Sequence, residues 1–511
     1  MSVADFLVDA IRFVSDAIRD HWPSLLGIAA AFALRRRILR LPLPRLRDWQ
    51  ACALVVALSL ASSLGAAALR NVPPQFHDDY AHLLIADTFA HGRLANPPHP
   101  LSDFFETMHV LQRPSYTGKF FPGEGAVLFL GMRLFGQPLA AVWLLSAAAC
   151  AAIWWALRGW LSPELALLGG VLAAIHPTML TYAMSYQGGA LAALGGALLL
   201  GGAARSAALP AGIGIALLAY SRPYEGLVLT IAIAVAMRLR LLRAIPIAVV
   251  ALVPLAIYNR AATGSAFVLP YTIYEQRYNP TPRFFWESLH PVPPEPNLEM
   301  ATAYRVAYVG HWRRVHSPGG VRDEIVKKFA VIARTLFGPP LLLLLVPLAA
   351  LPAALKKDAR ARRLALALLL FAFAPFSFLG WLMMHYLAPA AAVAAALMVL
   401  LVAELPPSFA VAVLIAFVVN AGAGWFGFVR TPDVGREKER QAIAASVDGV
   451  VLVAPNVFDL VYNGADIDHQ RVIWARDLGP ARNAALRAYY RGRKFWAIDE
   501  SSGRARLRPL P

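Results

Sequence analysis

The chain passes again and again through apolar blocks as long as a bilayer is thick. "ACALVVALSLASSLGAAAL" (51–69) and "AVLIAFVVNAGAGWFGF" (412–428) each approach the ~20 residues a helix needs to cross a hydrocarbon core. Lipid offers no partner for backbone N–H and C=O groups, so a block of this kind must satisfy them within itself, as a helix does. Composition agrees: 58% of the 511 side chains are hydrophobic and 15% charged, where soluble domains carry ~25% charged residues. The sequence therefore predicts an all-α polytopic membrane protein.

The net charge of +17 does not point to nucleic acid, because no basic domain interleaved with aromatics accompanies it. Much of it falls in short clusters between apolar blocks: Arg35, Arg36, Arg37, Arg40, Arg45 and Arg47, then Arg238, Arg240 and Arg243, then "KKDARARR" (356–363). Cytoplasmic loops are enriched in this way. With those clusters inside, spans are expected near 49–69, 138–157, 163–178, 180–203, 207–220, 225–238, 244–258, 330–352, 363–383, 386–404 and 406–428. Eleven spans put the C-terminus outside. "GEGAVLFLGMRLFG" (123–136) is too short to join them and would invert every later cluster, so a juxtamembrane or re-entrant helix is expected there. The small residues of "GGALAALGGALLLGGAA" (188–204) suit close helix packing. Cys52 and Cys150 both lie in apolar blocks, which implies no disulfide framework.

Three regions follow. Residues 1–48 form a cytoplasmic basic segment whose stretch 3–22 spaces Phe6, Leu7, Ile11, Val14 and Ile18 along one helical face, as an interfacial helix does. Residues 49–430 hold the spans, with outer loops at 70–122 and 259–328. Residues 436–511 change pattern: "GVVLVA", "RVIWARD" and "KFWAID" read as strands and "ARNAALRAYYRGR" as a helix, a small α/β extracytoplasmic module.

Polar chemistry gathers in the outer loops. Behind the first span, "HDDYAHLLIADTFAHGRL" (77–94) places Asp78 and Asp79 at the start of an amphipathic segment ended by Gly92. Acids in a first turn cap free N–H groups and favour the positive helix end. An acidic pair at the outer surface is also where the head group of a lipid-linked donor emerges. Arg222 and Glu225, in "SRPYEG" (221–226), either pair with each other at a helix end or face a substrate. "YTIYEQRY" (271–278) offers Tyr271 and Arg277 to a sugar, or its aromatics serve as an interfacial belt. His77, His82, His91, His99 and His109 are five of the chain's twelve histidines. Asp78 and His82 lie one helical turn apart, a spacing that suits a divalent metal. Scattered loop histidines are more often solvated, so these are taken mostly as bystanders and no metal ligands are assigned.

An apolar first span, an outer loop with an acidic pair, and then "YTGKFFPGEG" (116–125), a lysine ahead of an aromatic-Pro turn, resemble the GT-C glycosyltransferases. The likeness is to the bacterial branch related to protein mannosyltransferases and aminoarabinose transferases, and it covers the order of elements from 49 to about 430. It implies an inverting transfer of a sugar from a polyprenyl-phosphate donor to a lipid or glycan acceptor on the outer face of a bacterial inner membrane. It implies Asp78 as the base or acceptor-orienting carboxylate and Asp79 where relatives carry glutamate. Lys119 would meet the donor phosphate, although "KFFP" replaces the lysine and two prolines of many relatives. "HYLAP" (385–389), with His385 and Tyr386, stands where relatives often carry an arginine-tyrosine motif. No cofactor is implied beyond a divalent metal that only some members use. Arg222 is a second candidate for the phosphate, since a leaving anion needs fixed positive charge.

A transporter or flippase would also need many spans and arginines. Transporters place ionisable groups at mid-membrane and carry internal repeats, whereas here the polar groups collect at one face and no repeat is visible. A non-catalytic member whose outer module binds a cell-wall partner is the third alternative.

Overall fold

A computed structural model describes residues 46–237, 241–291, 297–338, 347–501 and 504–510. The expected interfacial helix at 3–22 and most of the first basic cluster lie outside the described residues. Among the described residues, three helices are long and apolar enough to cross a membrane: Asp48–Leu69, Pro138–Arg158 and Pro407–Arg430, with mean hydropathies of 2.1, 1.9 and 2.1. Two further candidates are bent pairs, Pro163–Ile175 with Pro177–Ala183 (56°) and Leu242–Ala251 with Val253–Thr263 (40°). Prolines sit at these breaks: Pro177 begins the second half of one pair and Pro254 the other. A proline has no N–H for the preceding turn, so the helix restarts there at an angle. Shorter apolar helices are Gly189–Arg205, Ala208–Ser221, Pro223–Ala236 and Ala388–Ala403.

At least three expected spans have different limits: in the one expected at 330–352 the helix begins at Gly320 and ends at Phe337, before Gly338 at φ 86°. The block expected at 180–203 is broken: the helix from Pro177 ends at Ala183, and a new one begins at Gly189 after a polar turn. Gly188 makes that turn with φ 78°, a conformation side chains disfavour. The block expected at 363–383 stops at Ser377. Beyond it the chain is extended, Phe378 bridges Phe284, and Leu379 N–H donates to Arg283 O at 2.7 Å. The second loop thus takes over backbone groups that a helix would have satisfied. Within the bundle, a Cβ on Gly196 would lie 1.9 Å from Pro389 O, so only glycine admits that helix contact.

The apolar block at 123–136 forms the helix Pro122–Phe135, 14 residues ended by Gly136 at φ 67°. At 1.5 Å per residue it reaches ~21 Å, short of a ~30 Å core. Its glycine face meets the helix His77–Ala90, where a Cβ on Gly125 would lie 2.4 Å from Ile85 Cγ2.

The C-terminal residues build a four-stranded sheet from β3 (Gly449–Val453), β4 (Val472–Arg476), β5 (Phe495–Ser501) and β6 (Arg504–Leu510), ordered β4-β3-β5-β6. β3 runs parallel to β4 and β5, and β6 antiparallel to β5. Alternate residues of a strand face opposite sides, and here both sides are covered. Val450, Leu452, Ile473 and Ala475 pack with Ala81, Leu84, Phe104 and Phe105 of the first loop. Val451, Val453 and Trp474 pack with Val457, Leu460 and Val461. β6, absent from the sequence expectation, alternates arginine with Ala505, Leu507 and Pro509, as an edge strand does.

Candidate active site

The helix His77–Ala90 separates the two acids. Asp79 is its third residue and folds back onto the turn before it: Oδ2 accepts from the Gln75 N–H at 2.8 Å and the Phe76 N–H at 3.2 Å, and Oδ1 accepts from Gln187 Nε2 at 3.2 Å. It is 4% exposed. Burial pushes its carboxyl up to about 6, with the Asp78 charge adding to the backbone-opposed rise. Asp79 is therefore the capping acid.

Asp78 has no such duty. Its Oδ1 lies 2.5 Å from His109 Nδ1, and 29% of its side chain is open to solvent. Burial of the site works against its charge, but His109, Lys119 and His385 outweigh that and hold the carboxyl well below the usual carboxylate range. His109 is placed by its backbone. It adopts φ 64°, its N–H donates to the Tyr274 hydroxyl at 2.8 Å, and its carbonyl accepts from the Lys119 N–H at 2.9 Å. This bend lies beside a two-stranded ribbon, β1 (Val110–Leu111) and β2 (Thr117–Gly118). The histidines of this loop are not all bystanders.

Lys119 follows β2 and is buried. Its Nζ sits 2.7 Å from Glu275 Oε1 and over the rings of Tyr274 (4.7 Å), Tyr271 (5.0 Å) and Phe120 (5.4 Å). Burial alone would raise the Glu275 carboxyl, but Lys119 and Asn279 hold it below its ordinary value. Arg222 ends one apolar helix and begins the next. Its Nη2 donates to Gln187 O at 2.9 Å, and its guanidinium lies 4.7 Å from the centre of the Tyr386 ring. Its buried Nε has no hydrogen-bond partner among the described residues. His82 and His385 lie within electrostatic reach of both Asp78 and Arg222, which closes the group.

Of the residues expected to bind substrate, Lys119, Arg222, Tyr271, His385 and Tyr386 come together around Asp78. Glu225 stands in the first turn of the helix Pro223–Ala236, within electrostatic reach of Arg222 and Tyr386. Arg277 faces elsewhere: its Nη2 lies 3.7 Å from Glu106, whose oxygens accept from Tyr278. Residues two apart on a helix point in nearly opposite directions, so the face carrying Glu275 toward Lys119 turns Arg277 away. The pairing of Asp78 with His82 is also replaced. Asp78 contacts His109, and His82 stacks on Phe120 at 4.6 Å. Sequence reasoning missed Glu275, although it lies one turn after Tyr271 on the same helix face. It also missed Glu124, which is buried within electrostatic reach of Arg222, and Gln187, which touches both Asp79 and Arg222.

No protein-family model matches the chain, and no curated protein matches it. Solved structures do. ArnT from Cupriavidus metallidurans in the apo state superposes with a TM-score of 0.50 at 15% identity, over 87% of this chain and 92% of that one. The same enzyme bound to undecaprenyl phosphate gives a TM-score of 0.51 at 14% identity over the same shares. The apo oligosaccharyltransferase of Archaeoglobus fulgidus gives 0.50 at 11% identity, over 78% of this chain and 58% of that one. The protein is an integral membrane protein whose fold is that of ArnT.

Proposed function

We propose that the protein is an inverting glycosyltransferase that moves a sugar from a polyprenyl phosphate to a lipid or glycan acceptor. In this reading Asp78 takes the proton of an acceptor hydroxyl as its oxygen attacks the anomeric carbon. The bond from that carbon to the phosphate oxygen breaks, and polyprenyl phosphate leaves. Lys119 and Arg222 stabilise the charge gathering on the phosphate, Arg222 through the Nε that lacks a partner among the described residues. Tyr271 and Tyr386 present ring faces beside those cations. The chain would cross a bacterial inner membrane eleven times, with both loops and the C-terminal sheet on the outer side.

The observation that carries the reading is the division of labour at the acidic pair. Asp79 is used up in capping the helix, while Asp78 stands partly open, charged, and within reach of two cations. The acid that the resemblance implies as the base is thus the one left available. An apolar pocket between helices, partly open and walled by Leu172, Tyr182, Leu336 and Phe417, suits a prenyl tail. Tyr182 donates from that wall to Met384 O, next to His385. The transporter reading has no comparable support, because the ionisable cluster lies at helix ends and in loops.

Mass spectrometry of lipid co-purifying with the protein tests the class. A polyprenyl-phosphate sugar is expected. Release of that lipid without its sugar on adding acceptor would complete the case, and a preparation that carries and turns over no prenyl lipid would defeat it.

A further inference from the structure

His77, the residue before Asp78, belongs to a second cluster that the transfer chemistry does not use. Its Nε2 lies 3.1 Å from Asp459 Oδ1 and 3.9 Å from Glu299 Oε1. One donor atom from each of the three side chains lies within 4.8 Å of the others. Ligand atoms of a tetrahedral zinc ion, with bonds of ~2.0–2.2 Å, stand ~3.3–3.6 Å apart. The two measured edges bracket that spacing.

The surroundings hold these atoms in place. The Tyr462 hydroxyl bonds His77 Nδ1, which orients the ring and leaves Nε2 toward the carboxylates. Arg476 Nη2, 2.6 Å from Glu299 Oε2, holds the far oxygen and leaves Oε1 facing His77. Asp459 takes φ 61°, a left-handed conformation that aspartate tolerates better than most residues. Its main-chain N–H donates to Glu299 Oε1 at 3.2 Å, which occupies one lone pair of that oxygen. The Glu299 side chain is 3% exposed, His77 23% and Asp459 46%, so the cluster is anchored inside and open to water outside. One imidazole with two carboxylates and no thiolate suits Zn²⁺ or Mn²⁺ among common cations.

We propose that His77, Glu299 and Asp459 form a divalent-cation site of the zinc type, joining the start of the Asp78 helix to the second outer loop and the C-terminal segment. The ion is a positioning device: it fixes the residue next to the acid rather than the acid itself. Ion binding stands whether or not Asp78 is the base, and only its effect on turnover rests on the proposed transferase reading.

The test uses the full chain in detergent, stripped with EDTA and titrated with zinc chloride alone by calorimetry, with metal content counted after desalting. One zinc per chain is expected, bound at least tenfold more weakly by Asp459→Asn and by Glu299→Gln. Asp448→Asn removes an exposed acid outside the cluster and should bind as the parent does. Zinc should raise the thermal midpoint of the parent and leave that of Asp459→Asn unmoved. Should one cluster variant fail to fold, the other carries the comparison, with His77→Gln as a third. A parent without stoichiometric zinc, or cluster variants that bind like the parent, overturns the site. Zinc binding by a parent that transfers no sugar from a polyprenyl phosphate would defeat the transferase reading and leave the ion site standing.

Discussion

Exchanging the two neighbouring acids separates catalysis from folding. Asp79→Ala removes the acceptor of three hydrogen bonds, from Gln75, Phe76 and Gln187 at 2.8, 3.2 and 3.2 Å. At ~1 kcal/mol net for each, the loss is about 3 kcal/mol, concentrated in the first turn of the helix that presents Asp78. Asp79→Asn keeps one oxygen for the two main-chain donors, and Gln187 needs only to turn its amide to meet the new NH₂. Its thermal midpoint should stay near the parent's and most transfer activity should survive. Asp78→Asn breaks one contact of a partly open side chain, so its midpoint should also move little. It removes the proton acceptor, however, and turnover should fall by ~10²–10⁴, or ~3–5 kcal/mol of barrier. The assay is single-turnover transfer from a polyprenyl-phosphate sugar in detergent, with thermal denaturation of each variant alongside. An inactive, well-folded Asp79→Asn beside a near-normal Asp78→Asn would reverse the roles. Full activity in both would reduce the pair to a helix cap.

Three further outcomes follow from the same geometry. Lys119→Ala and Arg222→Ala should each weaken donor binding or slow transfer by ~10–100-fold, the worth of a charge-assisted contact of ~1.5–3 kcal/mol; titration with donor lipid checks this, and parent-like values in both would make them structural charges. Burial pushes the Glu124 carboxyl up to about 8 from an ordinary 4.5 despite Arg222, so the folded state holds its proton more tightly than the unfolded one. Stability from this group is full below about pH 4.5 and is lost as pH rises through about 8, by as much as ~5 kcal/mol; Glu124→Gln should flatten the fall in thermal midpoint across that window, and parallel curves for parent and variant would show that Glu124 does not titrate there. A C-terminal alkaline phosphatase fusion should be active, as outward placement of the sheet requires, and an inactive fusion beside a fluorescent cytoplasmic one would overturn the threading.

Much of this architecture was legible because it is local. Apolar length gives the helices Asp48–Leu69, Pro138–Arg158 and Pro407–Arg430, and short runs rich in β-branched and aromatic residues give β3, β4 and β5. The lysine turn and the acidic pair, 40 residues apart, could be set side by side from their resemblance to a family. What escaped was either a break hidden inside an apolar run or a contact between distant loops. The turn before Gly188 interrupts two stretches that are equally greasy, so hydropathy joins them across it. Lys119 meets Glu275 across 156 positions, and no periodicity within either loop says which residue of "YTIYEQRY" will face inward. Arg277 is read from sequence as a charge for a sugar among the stacking faces of Tyr271, Tyr274 and Tyr278. The helix phase instead gives it to Glu106. His109 was the hardest to read, since its role depends on a left-handed backbone at a residue that sequence does not mark as a turn.

The C-terminal sheet acquires a purpose from the short helix it leans on. Fourteen residues form only a marginal helix in isolation, yet on the proposed reading this one must aim Asp78 within a fraction of an ångström for proton transfer to be productive. Its packing supplies the constraint from two directions. On one side Ile85 meets Gly125, and Gly118 comes so close that a Cβ there would lie 2.3 Å from Ala81 O. On the other, Tyr80 stacks on Tyr462 with ring centres 3.8 Å apart and donates to Glu437 at 2.7 Å, while Ala81 and Leu84 join the core of the sheet. The helix is held between the membrane bundle and the C-terminal segment, and its N-terminal turn is capped by Asp79. A loop-borne carboxylate would drift with its loop. Clamped in this way, Asp78 has an orientation set by both halves of the molecule, so the sheet helps to build the site although none of its strands contributes a residue to the group around Asp78.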